Sequence, residues 1–184
     1  MKARNMVLVA LFAALACAGA VLLRLGGEAV VPFSIMPLVT MLSGALLGSK
    51  KGSLSMFVYL LIGLIGIPVF AKPPYGGLTY IFSPSFGFLI GFILGAFVVG
   101  KILELTKKRS AVAYFLATLG GLTAIYACGL PYLYLILNFY LGKSFSVVQT
   151  LKIGLLPFIL FDLVKAAIVV VIAKPVADRL EFLR

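Results

Sequence analysis

The sequence predicts an all-α integral membrane protein, a bundle of six transmembrane helices with both termini in the cytoplasm, and three observations carry that reading. Hydrophobic residues make up 63% of the 184 residues and charged residues 11%, with a mean hydropathy of +1.21, far outside the composition of soluble domains. Apolar stretches able to cross a bilayer recur along the whole chain, leaving room for about six spans and no separate soluble domain. The sixteen Lys and Arg residues are also unevenly placed between those stretches. With the N-terminus inside, eleven fall on the inner side: Lys2, Arg4, Lys50, Lys51, Lys101, Lys107, Lys108, Arg109, Lys174, Arg179 and Arg184. Arg24, Lys72, Lys143 and Lys152 fall outside, and Lys165 falls within a span, an asymmetry that orients the chain. The net charge of +11 is therefore a signature of topology. It is not the continuous basic patch with interleaved aromatics that would signal nucleic acid.

The predicted spans cover 6–25, 35–47, 53–67, 86–103, 112–137 and 153–173 of a single domain, 1–184. The first is longer than a signal-peptide core and is followed by more spans, so it reads as a retained helix. Arg24 sits at its far end, where it can snorkel. Ala10, Ala14 and Ala18 form a small-residue row suited to close approach of another helix. Residues 26–34 break the helix with Gly26, Gly27 and Pro32. The second and third spans are short, which hints at a cavity, and a basic turn, Gly48 to Gly52, joins them.

Residues 67–85 hold four of the nine prolines and the Gly76-Gly77 pair, the composition of a re-entrant or lid-like loop. Irregular backbone is tolerated at membrane depth only when buried or lining a cavity, so the hydroxyls of Ser83 and Ser85 are candidates for holding a polar ligand. The fourth span repeats glycine at Gly87, Gly91 and Gly95, again for close packing. The fifth carries Gly120-Gly121 and Gly129-Leu130-Pro131, candidates for a kink or an early end. Asn138 to Lys152 is mildly amphipathic, and Lys174-Pro175 is expected to end the last helix.

The sixth span places Asp162 and Lys165 three residues apart in an apolar run, on one face of a helix. A charge at a span's centre costs about 2.5–3.5 kcal/mol on insertion scales, so the pair is a functional-site candidate, with a structural ion pair locking two helices as the alternative. Cys17 and Cys128 are isolated, and the chain has no histidine, which argues against a metal site or a disulfide framework. Five acidic residues and no nucleophile–base set give poor support for an enzyme. A ligand-binding membrane subunit fits best. Lys165 would meet an anionic or carbonyl oxygen, Asp162 would accept an N–H or hold Lys165, and apolar walls would enclose the ligand.

From about Leu8 to Val176 the chain resembles the BioY family, the biotin-specific S components of energy-coupling factor (ECF) transporters. The resemblance is carried by Leu46-Leu47-Gly48, by Tyr59 to Phe70 (YLLIGLIGIPVF), and by Gly76-Gly77, Pro84 and Gly87 to Phe92. Leu156-Pro157-Phe158 and Asp162-Leu163-Val164-Lys165-Ala166 complete it. It implies a six-helix S-component bundle that binds biotin near the outer face of a bacterial plasma membrane, with no cofactor. It also implies ligand contacts at Asp162, Lys165, Ser83, Ser85, Tyr59, Gly76 and Gly77, and packing of Ala10, Ala14 and Ala18 on a transmembrane coupling subunit (EcfT). Two ATPase subunits would power uptake. The chain departs from the family pattern at Met36, Phe86 and Phe88, around the implied pocket rim. An S component for another vitamin, or a membrane enzyme or assembly factor using Asp162 chemically, are the alternatives.

Overall fold

In the computed structural model, residues 3–25, 34–106 and 110–182 are described, and among them the chain is all-helical. Seven α-helices appear in order: α1 (Ala3–Leu25), α2 (Met36–Leu47), α3 (Ser49–Leu64), α4 (Phe86–Thr106), α5 (Ala111–Leu135), α6 (Val147–Gly154) and α7 (Leu156–Phe182). A short 3-10 helix spans Leu78–Phe82, and a π-helical turn, Ile136–Tyr140, extends α5. Four helical stretches are long and apolar enough to cross a membrane: Ala3–Leu22, Phe86–Thr106, Ala111–Tyr140 and Leu156–Ala177. Helices α2 and α3, with 12 and 16 residues, measure about 18 and 24 Å at 1.5 Å per residue. Both fall short of the roughly 30 Å hydrocarbon core.

Helix α3 starts earlier than the sequence suggests. The basic turn shrinks to one residue, Gly48, at φ +81°, and Lys50 and Lys51 belong to the first turn of α3. Glu104, from the end of α4, makes this possible. Its Oε1 accepts from the Ser49 amide at 2.8 Å, and both carboxylate oxygens accept from the Ser49 hydroxyl at 2.9 Å. An anion thus caps the positive end of α3 from a helix more than fifty residues away, which no local reading detects. Nearby, Lys51 Nζ donates to Asn5 Oδ1 at 3.1 Å, placing the start of α1 at this same end of the bundle.

The core is built on close backbone approach. Gly87, Gly91 and Gly95 of α4 all face α5: a Cβ at Gly91 would lie 2.7 Å from the Ile125 carbonyl oxygen and 3.0 Å from its Cα. A Cβ on Gly52 of α3 would lie 2.8 Å from Gly44 of α2. Ala96 and Val99 of α4 and Ala117, Leu122 and Ile125 of α5 fill the seam with almost no exposure. On α1, Ala13, Ala16 and Ala20 turn inward, whereas the row Ala10, Ala14 and Ala18 is exposed on the outer face.

Two other expectations are corrected. Helix α5 runs through Gly120-Gly121 and Pro131 without stopping and closes in the π turn. There Asn138 takes over the local backbone, its Nδ2 donating to the Tyr134 carbonyl at 3.0 Å and its Oδ1 accepting from the Phe145 amide at 2.8 Å. Likewise Pro175 does not end α7, which continues to Phe182. Buried Ala173 and Ala177 flank the exposed proline and keep the inner face of the helix packed. The amphipathic stretch resolves into α6, started by a capping box in which the Ser146 hydroxyl and the Gln149 side chain exchange bonds with each other's backbone amides. The loop 26–33 and the basic residues Lys2, Lys107, Lys108, Arg109 and Arg184 lie outside the described residues.

The α4–α5 seam makes a direct prediction. Gly91→Ala forces a methyl group against the Ile125 backbone, which cannot retreat without shifting α5. Thermal denaturation of the detergent-purified protein is expected to show a loss of about 1–3 kcal/mol, the usual cost of overpacking. A change of similar kind at Gly66, where an added Cβ meets nothing within 4 Å, is expected to act only through its φ of +106°.

Candidate ligand-binding site

Residues 65–85 fold back as a plug at one end of the bundle. Phe70, fully buried, is the plug's centre: it meets Tyr59 edge-on with ring centroids 5.7 Å apart and Tyr80 at 4.2 Å. The loop backbone closes on itself through Phe70 N–H to Tyr75 O at 2.8 Å, and on α3 through Gly77 N–H to Gly63 O at 2.7 Å. The Tyr132 hydroxyl of α5 donates to the Ile81 carbonyl and pins the 3-10 helix.

Beneath this plug lies a cavity of about 690 Å³, within the range that holds a small organic ligand. Phe88, Leu89 and Phe92 from α4 and Ile125 and Leu133 from α5 form its apolar wall. Ile153, Gly154 and Phe158 close it on the α6–α7 side. Polar groups converge on it in separate places. Tyr80, Ser83 and Ser85 form one cluster, with the Tyr80 and Ser85 hydroxyls 2.8 Å apart and those of Ser83 and Ser85 3.0 Å apart. Burial pushes the Tyr80 phenol up, and hydrogen bonds with Ser85 and Ser83 offset only part of that, so the group stays a neutral hydroxyl at physiological pH.

Asp162 is the cavity's acid. It is 3% exposed, and its two oxygens are held from different directions. Lys165 Nζ donates to Oδ1 at 2.7 Å from one turn along α7, and the Tyr126 hydroxyl of α5 donates to Oδ2 at 2.5 Å. A carboxylate offers about four lone-pair positions, so two internal donors leave acceptor capacity for a ligand. Behind it, Phe88 packs edge-on against Tyr126 at 6.2 Å and sets the phenol's position.

The residues expected at the site therefore separate. Tyr59, Ser83, Ser85 and Asp162 all line the cavity. Lys165 does not line it and reaches it only through Asp162. Gly76 and Gly77 also lie off the cavity: a Cβ on Gly76 would lie 2.6 Å from the Ile67 carbonyl oxygen, and Gly77 adopts φ +90°, so both serve the fold of the plug. Of the departures from the family pattern, Met36 and Phe88 line the cavity, while Phe86 is buried beside Tyr132 and does not.

Several lining residues escape a reading of the sequence. Tyr126 looks like any aromatic in an apolar run, and its role depends on a partner 36 positions away. Arg24 reads as a snorkelling end residue, yet it lines the cavity together with Ser34, Lys72 and Tyr75. No local signal marks Arg24, because the loop it meets begins more than forty positions away.

Comparison with known proteins agrees with this architecture. The family model described as the BioY family matches residues 1–182. The "Biotin transporter BioY" of Thermotoga maritima is 37% identical over 171 residues, covering 92% of this chain and 94% of the relative. The "Probable biotin transporter BioY" of Lysinibacillus sphaericus is also 37% identical, over 86% of this chain and 79% of its own length. Among solved structures, the S-component for biotin from an ECF-type ABC transporter superposes with a TM-score of 0.76, covering 96% of this chain and 92% of the other. At 22% identity this last likeness speaks to the fold. With a match spanning both the helices and the cavity they enclose, the chain belongs to the BioY family.

Proposed function

We propose that this chain is the biotin-capturing S component of an ECF transporter in a bacterial plasma membrane. It takes biotin at the outer face and delivers it to the cytoplasm with a coupling subunit and two ATPase subunits. The observation that carries the reading is Asp162: a carboxylate at an apolar cavity, internally neutralised yet still able to accept. Biotin's cyclic urea offers two N–H donors to such a group. Its fused rings and aliphatic chain match the wall of Phe88, Leu89, Phe92 and Ile125. Lys165 and Tyr126 hold the carboxylate in place and compensate its charge, so the site is poised before the ligand arrives.

The orientation follows from the charges at the two ends of the bundle. Lys51 beside Asn5, and Ser49 beside Glu104, bring Arg4, Lys50, Lys51 and Lys101 to one end. Arg24, bonded to the Pro68 carbonyl, belongs to the opposite end with Lys72. The positive-inside rule then puts both termini in the cytoplasm and the cavity near the outer face. In this arrangement α1 to α5 and α7 make six crossings, α2 and α3 incompletely, and α6 lies along the outer surface. The exposed row Ala10, Ala14 and Ala18 is the surface offered to the coupling subunit.

Three outcomes are expected. Calorimetry on the purified protein gives tight 1:1 biotin binding that thiamine and riboflavin do not displace, and Asp162→Asn weakens it about 10- to 100-fold, the range for a hydrogen bond to a charged group; absence of biotin binding would sink the assignment. Lys165→Ala also weakens binding, and it lowers stability by about 3–5 kcal/mol by leaving Asp162 with an incomplete set of partners, a loss that Asp162→Asn in the same chain partly restores. Ala14→Phe reduces co-purification with the coupling subunit while calorimetric biotin affinity stays unchanged.

A further inference from the structure

We propose that Arg24 anchors the ligand's carboxylate and makes the chain selective for the free acid over ligands whose carboxylate is capped as an ester or amide. The proposal rests on the biotin reading of the cavity. Arg24 lies in the last turn of α1 and is half-buried at the cavity lining. Its Nη1 donates to the Pro68 carbonyl at 3.2 Å, and its guanidinium lies over the Tyr75 ring, 5.0 Å from the centroid. These two contacts fix the plane of the group and use one of its five N–H donors. Among the described residues no carboxylate pairs with it, whereas Lys165, which reaches the cavity only through Asp162, is already neutralised by that residue.

A positioned, half-buried guanidinium without a counterion among the described residues has donors to spare, and an anionic oxygen pair is the partner its fork geometry fits. Asp162 supplies the complementary half of the argument. As the only acid lining the cavity among the described residues, it attracts N–H donors and repels a carboxylate. A ligand bearing a urea at one end and a carboxylate at the other is therefore oriented with its acid away from Asp162. Lys72 also lines the cavity, but its side chain is exposed and makes no hydrogen bond or ion pair among the described residues, so its ammonium is strongly hydrated and less able to select.

The test is calorimetry of biotin and biotin methyl ester against the full-length protein and three variants, R24Q, R24K and K72Q. The unaltered protein is expected to bind the acid about 10- to 100-fold more tightly than the ester. R24Q is expected to erase that preference by weakening the acid alone, R24K to restore part of it, and K72Q to keep most of it. Equal binding of acid and ester by the unaltered protein overturns the proposal. So does an R24Q or R24K effect of the same size on both ligands, an undiminished preference in R24Q, or loss of the preference in K72Q. All of these leave the biotin assignment standing. Failure of the unaltered protein to bind either compound overturns the biotin assignment itself, and the proposal with it.

Discussion

The most expensive feature of the molecule is an acidic side chain buried within an apolar helix, and much of the bundle is arranged around meeting its cost. Removing a carboxylate from water carries an effective penalty of several kcal/mol even after relaxation. Lys165, one turn away on the same helix, supplies the counter-charge. That leaves the second oxygen, and its donor comes from α5 through the Tyr126 hydroxyl. This contact fixes the register of α7 against α5. The position of α5 is in turn fixed against α4 by glycines whose missing side chains let the backbones touch, Gly91 against Ile125 and Gly129 against the Phe88 ring. Phe88 then packs on Tyr126 and closes the circuit. The packing seam and the polar site are thus one device: a displacement of α4 by a single methyl group is felt at the phenol that holds Asp162.

A second constraint explains why a cavity exists at all. Helix α2 is about 12 Å shorter than a hydrocarbon core at 1.5 Å per residue. At the end of the bundle away from the Gly48 turn, its N-terminal residues Met36 and Pro37 therefore border open space instead of a neighbouring helix. The 65–85 segment fills part of that volume with Phe70 and leaves the rest. Several of its backbone groups are paired by its own turns, by Gly63 at the end of α3 and by the Tyr132 hydroxyl, which helps irregular chain to stand at that depth.

What was legible in the sequence follows the range of the interactions. The apolar runs place α1, α2, α4 and α5 to within three residues at each end, and the spacing of Asp162 and Lys165 places both on one face of α7, because these are patterns within one helix. The small-residue spacing on α4 likewise points to a helix contact that is present. The start of α3 was misplaced because its cap, Glu104, is distant in sequence, and the continuation of α7 through Pro175 because packing outweighs local propensity. At the site, Asp162 was visible as a charge in the wrong solvent. Tyr126 was invisible, since a tyrosine in an apolar run reads as core until its partner is known. The Ser146–Gln149 box is the exception: it carries a local signature that the mild amphipathicity of its surroundings obscured.

The polar groups around the cavity differ in how they stand when it is empty, and this difference sets what each contributes to binding. Asp162 already has two donors, so a ligand's N–H groups compete for spare lone pairs, and each adds only the net value of a hydrogen bond. The Tyr80, Ser83 and Ser85 hydroxyls bond one another and must rearrange to serve a ligand, which narrows their contribution further. On the proposed reading, shape and apolar burial along Phe88, Leu89 and Phe92 therefore supply the general affinity, while the polar groups discriminate between ligands of similar shape. Arg24 is the departure from this pattern: it is tethered to the Pro68 carbonyl and the Tyr75 ring, and among the described residues no carboxylate pairs with it. On the proposed reading the two ends of the ligand are recognised by different means: the urea end meets a carboxylate whose charge Lys165 already compensates, and the anionic end meets the Arg24 guanidinium.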